Sequence, residues 1–184
     1  MAGCTMFRVC LLALAGAAVI LAQSPKYGVG RAPTPDEVKA WDISIPPDGT
    51  GLPEGSGTPA QGKEVYASKC AKCHGGQAQG GDEGALVGGK GTLASAKPLK
   101  TVGSYWPYAT TLFDYVRRAM PFKQPGTLTS NQLYAVSAFI LNLNGIIGEN
   151  AVMDAKTLPQ VKMPNRNGFV SDPRPDVGSK HPRK

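Results

Sequence analysis

An all-α fold is predicted by three features of the chain. Two helix starts with reciprocal caps stand at Thr58-Pro59-Ala60-Gln61 and Thr129-Ser130-Asn131-Gln132, Leu133, Val136, Ile140 and Leu143 recur at helical spacing, and no strand–helix alternation surrounds the cysteine pair at Cys70. The 184 residues, 41% of them hydrophobic, fit one compact domain with long flanks. Of the 16 prolines, 11 lie outside residues 58–145, which are read as the domain. A core that small is marginal by itself.

At the amino end, Arg8 precedes an apolar run of fourteen residues, Val9 to Ala22, which Gln23-Ser24-Pro25 breaks. That is shorter than the about 20 residues a membrane-spanning helix needs, so residues 1–22 read as an export signal cut after Ala22. Ile20 makes the cleavage pattern imperfect, and an uncleaved membrane anchor is the alternative. Export implies a periplasmic location. It also removes Cys4 and Cys10, leaves Cys70 and Cys73, and excludes a disulfide framework. Residues 23–57 read as an irregular flank in which Trp41, Ile43 and Ile45 alternate as a short extended segment, lying on the core or on a partner.

The first helix runs from its Thr58 cap, through Gly62 and Tyr66, into Cys70-Ala71-Lys72-Cys73-His74. Positions i, i+3 and i+4 share a helix face, so two sulfurs and one imidazole can meet one planar group. Cys-x-x-Cys-His is the attachment signature of haem c: Cys70 and Cys73 form thioethers, and His74 binds iron. A zinc site would need further closing ligands, and the other histidine is His181 in the charged tail. A bound haem would add the apolar surface that the small core lacks.

Gly75 to Gly91 follow as a glycine-rich loop. A backbone carbonyl between Gly84 and Leu86 is placed to accept the Nδ1 proton of His74 and fix its tautomer. The second helix is read from Thr111, with Asp114 near its amino end and Arg117 and Arg118 toward the other, as the helix dipole prefers. Pro121 disfavours helical backbone at Met120, so this thioether heads a loop and is assigned as the sixth ligand. Met153 and Met163 compete but lie beyond the last helix. Tyr105-Trp106-Pro107-Tyr108 is an aromatic cluster whose rings would cover the macrocycle and whose polar tips would reach propionates; plain core packing is the alternative. The last helix runs from Thr129 to near Asn144-Gly145 and faces Gly62 and Tyr66. Residues 146–184 read as an irregular tail, of which Met163 to Phe169 braces the domain or a partner.

Helix, Cys70-x-x-Cys73-His74, glycine-rich loop, Met120-Pro121 and terminal helix together resemble the class I cytochromes c. The resemblance implies a small helical bundle around one covalent haem. Gly103 to Tyr115, Arg118 to Phe122, Pro125 to Thr129, Leu141 to Ile147 and Met163 to Phe169 further resemble the haem c subunits of bacterial sulfite and sulfane dehydrogenases. That likeness implies a molybdenum-cofactor subunit as electron donor. Two departures stand out: no proline lies between Gly80 and Gly91, and the chain has one attachment motif where longer members carry a second haem.

Two axial ligands leave no open position on iron, so the expected function is single-electron transfer, with no catalytic residues of its own. Alternatives are a stand-alone shuttle to a terminal oxidase, and a haem enzyme whose methionine is displaced. The formal charge is +7, or one less once Arg8 leaves with the signal. Lys63, Lys69, Lys72, Arg117, Arg118 and Lys123 would form a basic rim that steers an acidic redox partner, or simply a solvated face. No nucleic-acid partner is expected of an exported haem protein, and a membrane only if the signal stays.

Overall fold

A computed structural model describes residues 27, 29–172 and 174 of the chain; the expected signal segment and His181 lie outside them. Two compact units divide at Asp42. The first unit's described part contains helix α1 (Pro35–Trp41), closed at its start by a reciprocal cap between Thr34 and Glu37. The expected alternation at Trp41 is therefore corrected: Trp41 ends a helix, and Ile45 alone of the three residues is buried in a hydrophobic core. Thr34-Pro35-Asp36-Glu37 carries the same start signal as Thr58-Pro59-Ala60-Gln61, and it outweighs three alternating apolar residues.

The described residues of the second unit are all-α apart from one two-residue ladder. In chain order it holds β1 (Ser56–Gly57), α2 (Pro59–Lys69), α3 (Ala71–His74), α4 (Ala109–Ala119), α5 (Ser130–Leu143), β2 (Met153–Asp154) and a 3-10 turn at Leu158–Gln160. Helices α2 and α5 cross where Gly62 replaces a side chain with contact between backbones. A Cβ at Gly62 would stand 1.9 Å from the Ala135 carbonyl oxygen, so no other residue permits this approach. Beside the crossing, the Tyr66 and Phe139 rings meet at 5.2 Å. Phe113 of α4 stacks obliquely on Tyr134 of α5 at 4.7 Å, which closes the bundle.

The described parts of the flanks are mostly irregular, as expected, but several apolar residues after Asp42 join this core. Ile45 from before the bundle and Met153, Leu158, Val161 and Met163 from after it all fall in the same buried cluster as the helices. β1 and β2 pair antiparallel with Gly57 opposite Met153, and the Tyr134 hydroxyl donates to the Pro53 carbonyl at 2.8 Å. A domain this small gains proportionately from each added apolar side chain, at roughly 25 cal/mol per Å² removed from water. Among the described residues no helix is long and apolar enough to cross a membrane.

Candidate functional site

Helix α2 delivers the cysteine pair. Its Thr58 cap and Gln61 answer each other's backbone N–H groups, and Tyr66, almost wholly buried, donates its hydroxyl to the Gly75 carbonyl at 2.9 Å. The attachment motif does not simply continue α2. Cys70 leaves helical geometry at φ −124° and ψ −35°, and residues 71–74 form the separate single turn α3. The Cys70 carbonyl accepts from Cys73 N–H at 3.2 Å and His74 N–H at 3.0 Å, so the three motif side chains are still wound onto one turn.

The next ten residues fold back on that turn. The His74 carbonyl accepts from Gly80 N–H and the Cys73 carbonyl from Glu83 N–H, each at 2.9 Å. This closure brings the Gly84 carbonyl to 2.9 Å from His74 Nδ1. A carbonyl can only accept, so Nδ1 carries the proton, which in the neutral ring leaves the lone pair on Nε2. The expected acceptor between Gly84 and Leu86 is thus Gly84, reached without the proline found elsewhere in such loops.

Cys70 is half-buried, Cys73 is exposed, and both are free thiols. Burial, and next the adjacent Cys73, push the Cys70 thiol up to about 11 from 9.0, the reverse of what a reactive redox dithiol needs. Among the described residues no group of three or more His, Cys, Asp or Glu side chains is gathered to hold a metal by itself. Two unpaired thiols beside a histidine with only Nε2 to offer fit haem c: two thioether anchors and one imidazole ligand.

The other expected ligand, Met120, lies at the end of a second arm of chain. Helix α4 begins at Ala109, two residues earlier than expected, because Tyr108 is extended (φ −138°, ψ 139°) and starts the helix without a side-chain cap. Asp114 consequently lies mid-helix and makes specific contacts there instead of complementing the helix dipole. Its carboxylate accepts from the Ile45 N–H at 3.1 Å and from Arg118 Nε at 3.0 Å. Met120 follows α4 in extended backbone, φ −124° and ψ 148°, as the preceding-proline restriction requires, and is half-buried against the core. Met153 and Met163 are buried in the core cluster.

The aromatic cluster is held from the tail. Asn165 Nδ2 donates to the Tyr105 carbonyl at 2.7 Å, Phe169 meets the Tyr105 ring edge-on at 5.2 Å, and the Arg166 guanidinium lies 5.1 Å from the Tyr108 ring centre. Trp106 meets Tyr115 of α4 edge-on at 5.6 Å. Among the described residues neither the Tyr105 hydroxyl nor the Trp106 indole N–H makes a hydrogen bond. The brace expected of Met163 to Phe169 therefore acts on this domain. Sequence reasoning missed the partners of Asp114 and Asn165, which lie 69 and 60 residues away.

Comparison with known proteins places the chain among haem proteins of one kind. Residues 57–140 match the family described as cytochrome C oxidase, cbb3-type, subunit III. The chain is similar to a chain in the crystal structure of the sulfane dehydrogenase SoxCD from Paracoccus pantotrophus, with 43% identity, a TM-score of 0.74, and coverage of 86% of this chain and 81% of that one. No curated protein sequence matches.

Proposed function

The chain belongs to the class I cytochrome c family, as a relative of the SoxD-like haem subunits, and from that premise we propose that it accepts single electrons from a molybdenum-cofactor subunit that oxidises sulfite or sulfane sulfur in the periplasm. It is an electron-transfer haem protein, and haem c supplies a one-electron couple when bound. One observation carries the reading: His74 Nδ1 is committed to the Gly84 carbonyl, which presents Nε2 as a ligand beside two free thiols.

In this reading Cys70 and Cys73 would anchor the group, His74 and Met120 would bind its iron, and Tyr105 and Trp106 would offer polar tips to its propionates. The hydrogen bond from Nδ1 fixes the imidazole's orientation and strengthens Nε2 as a donor. Met120, held at a helix end by Pro121, would supply a soft ligand of the kind that raises the potential and leaves iron no open site. The basic side chains Lys63, Lys69, Lys72 and Lys123 are exposed and suited to steering an acidic partner.

The test uses the full chain matured with haem. Mass spectrometry should show a single covalent haem, the ferric protein should show the weak far-red sulfur-to-iron band, and Met120→Ala should abolish that band. Ready binding of carbon monoxide by the reduced wild type would overturn the closed-site reading in favour of a haem enzyme. Purification from the source organism should bring a molybdenum protein with it; recovery of the cytochrome alone would favour a stand-alone shuttle.

A further inference from the structure

Helix α4 has only eleven residues, and a helix that short frays at its ends unless tertiary contacts hold it. Its last turn precedes Met120 directly. Helix α4 is tied twice to one stretch of chain far away in sequence. Asp114, 7% exposed, receives the Ile45 N–H and, on both carboxylate oxygens, the Arg118 guanidinium. Arg117 Nη1 donates to the Ile43 carbonyl at 3.3 Å. The Ile45 side chain is itself buried in the core, so the anchor is fixed to the body of the domain. The Met120 N–H closes the sequence of contacts by donating to the Val116 carbonyl at 3.1 Å.

A carboxylate is rarely buried unless every lone pair finds a donor, and here the donors come from two places that must be brought together. Asp114 links the residue before the bundle to the arginine two positions before Met120. We infer that Asp114 is a positioning residue for the Met120 thioether: the Ile45–Asp114–Arg118 tie holds the last turn of α4, and with it the sulfur, in one register. The inference rests on Met120 being an axial ligand. A ligand so held stays in place in both oxidation states, which is what rapid electron transfer without rearrangement asks of the protein.

Imidazole added to the ferric protein competes with Met120 for iron and so measures how firmly the sulfur is held. Asp114→Ala, in the full haem-loaded chain, should bind imidazole about tenfold more tightly than wild type, with a weakened far-red band and a lowered potential, the scale expected when a charge-assisted hydrogen bond is lost. Asp114→Asn keeps the size and one acceptor oxygen and should fall between; it also serves if the alanine variant fails to fold. Leu133→Ala is the control, a core truncation on α5 that lowers the denaturation midpoint but should leave imidazole affinity within about twofold. Wild-type imidazole affinity in both Asp114 variants, or an equal change in Leu133→Ala, would overturn the inference. Failure of the ligand reading itself would look different: the far-red band would be missing from wild type or would persist in Met120→Ala.

Discussion

The histidine arm and the methionine arm of the site are built by opposite means. Around His74, every defining contact is local: Gly80, Glu83 and Gly84 bond back to residues 73 and 74, within ten positions. Around Met120 the defining contacts are remote, with Asp114 and Arg117 reaching residues 69 and 74 positions away. Closing a short loop costs little chain entropy, whereas the remote ties are gained only after the flank has docked. One arm can be shaped by its own segment, and the other depends on the assembled domain.

The largest expected effect removes the foundation common to both. Gly62→Ala forces a methyl into the Ala135 carbonyl and separates α2 from α5. A loss of about 3 kcal/mol is expected, with overpacking and backbone displacement both contributing, measured as a lowered denaturant midpoint. A shift under about 1 kcal/mol would mean that the crossing is looser than its geometry shows.

Gly75→Ala separates the arms. Gly75 has φ +81°, and a Cβ there would lie 2.4 Å from the Gly80 carbonyl, inside the loop that turns back on His74. About 2 kcal/mol should be lost. Hydrogen exchange should quicken at Gly80 and Glu83 while Met120 N–H stays protected. Equal quickening at Met120 would show that the two arms are not independent.

What was readable in the sequence follows the same division. The attachment motif, the capping boxes at Thr58 and Thr129, the Met120–Pro121 break and even the short range containing the His74 acceptor are encoded within a few residues, so local stereochemistry reveals them. The structure adds what spacing cannot encode: the docking of Ile45 on Asp114, the reach of Asn165 to Tyr105, and the entry of Leu158 and Met163 into the core. The α1 start at Thr34 was legible by the same capping rule but is obscured by the apolar alternation just after it. Asp114 carries no local sign that its partner is a backbone N–H before the bundle, because a helix read from Thr111 puts it near the amino end, where an acid is already accounted for by the helix dipole.

Tyr66→Phe tests how strongly α2 is fastened to the histidine arm. It removes the hydrogen bond to Gly75, and about 1 kcal/mol should be lost at neutral pH. Burial, and secondarily the neighbouring Cys70, push Tyr66 up to about 12 from 10.0, so the folded state holds the phenolic proton more tightly than the unfolded chain. The resulting stabilisation is complete below pH 10 and is lost as the pH rises through about 12. Tyr134 is likewise raised to about 12, chiefly by burial, so the variant should show a shallower alkaline loss and not its disappearance. An unchanged alkaline slope would show that Tyr66 does not ionise from the folded state in that window.

The smallest effect is expected at Ala78, which sits wholly buried in left-handed backbone at φ 59°. That conformation aims its carbonyl at two donors, Leu86 N–H at 2.8 Å and Val87 N–H at 3.3 Å, and so closes the far side of the histidine loop. Ala78→Gly relieves about 1 kcal/mol of left-handed strain. It also frees the unfolded chain and removes a buried methyl, each worth up to about 1 kcal/mol in the other direction. These contributions nearly cancel, and the denaturation midpoint should move by less than about 1 kcal/mol, toward lower stability. If the histidine arm is indeed held by its backbone hydrogen bonds, the His74-ligated spectrum will be unaltered. A loss above about 2 kcal/mol would instead place the weight on the methyl and make this arm, like the methionine arm, dependent on packing from the assembled core.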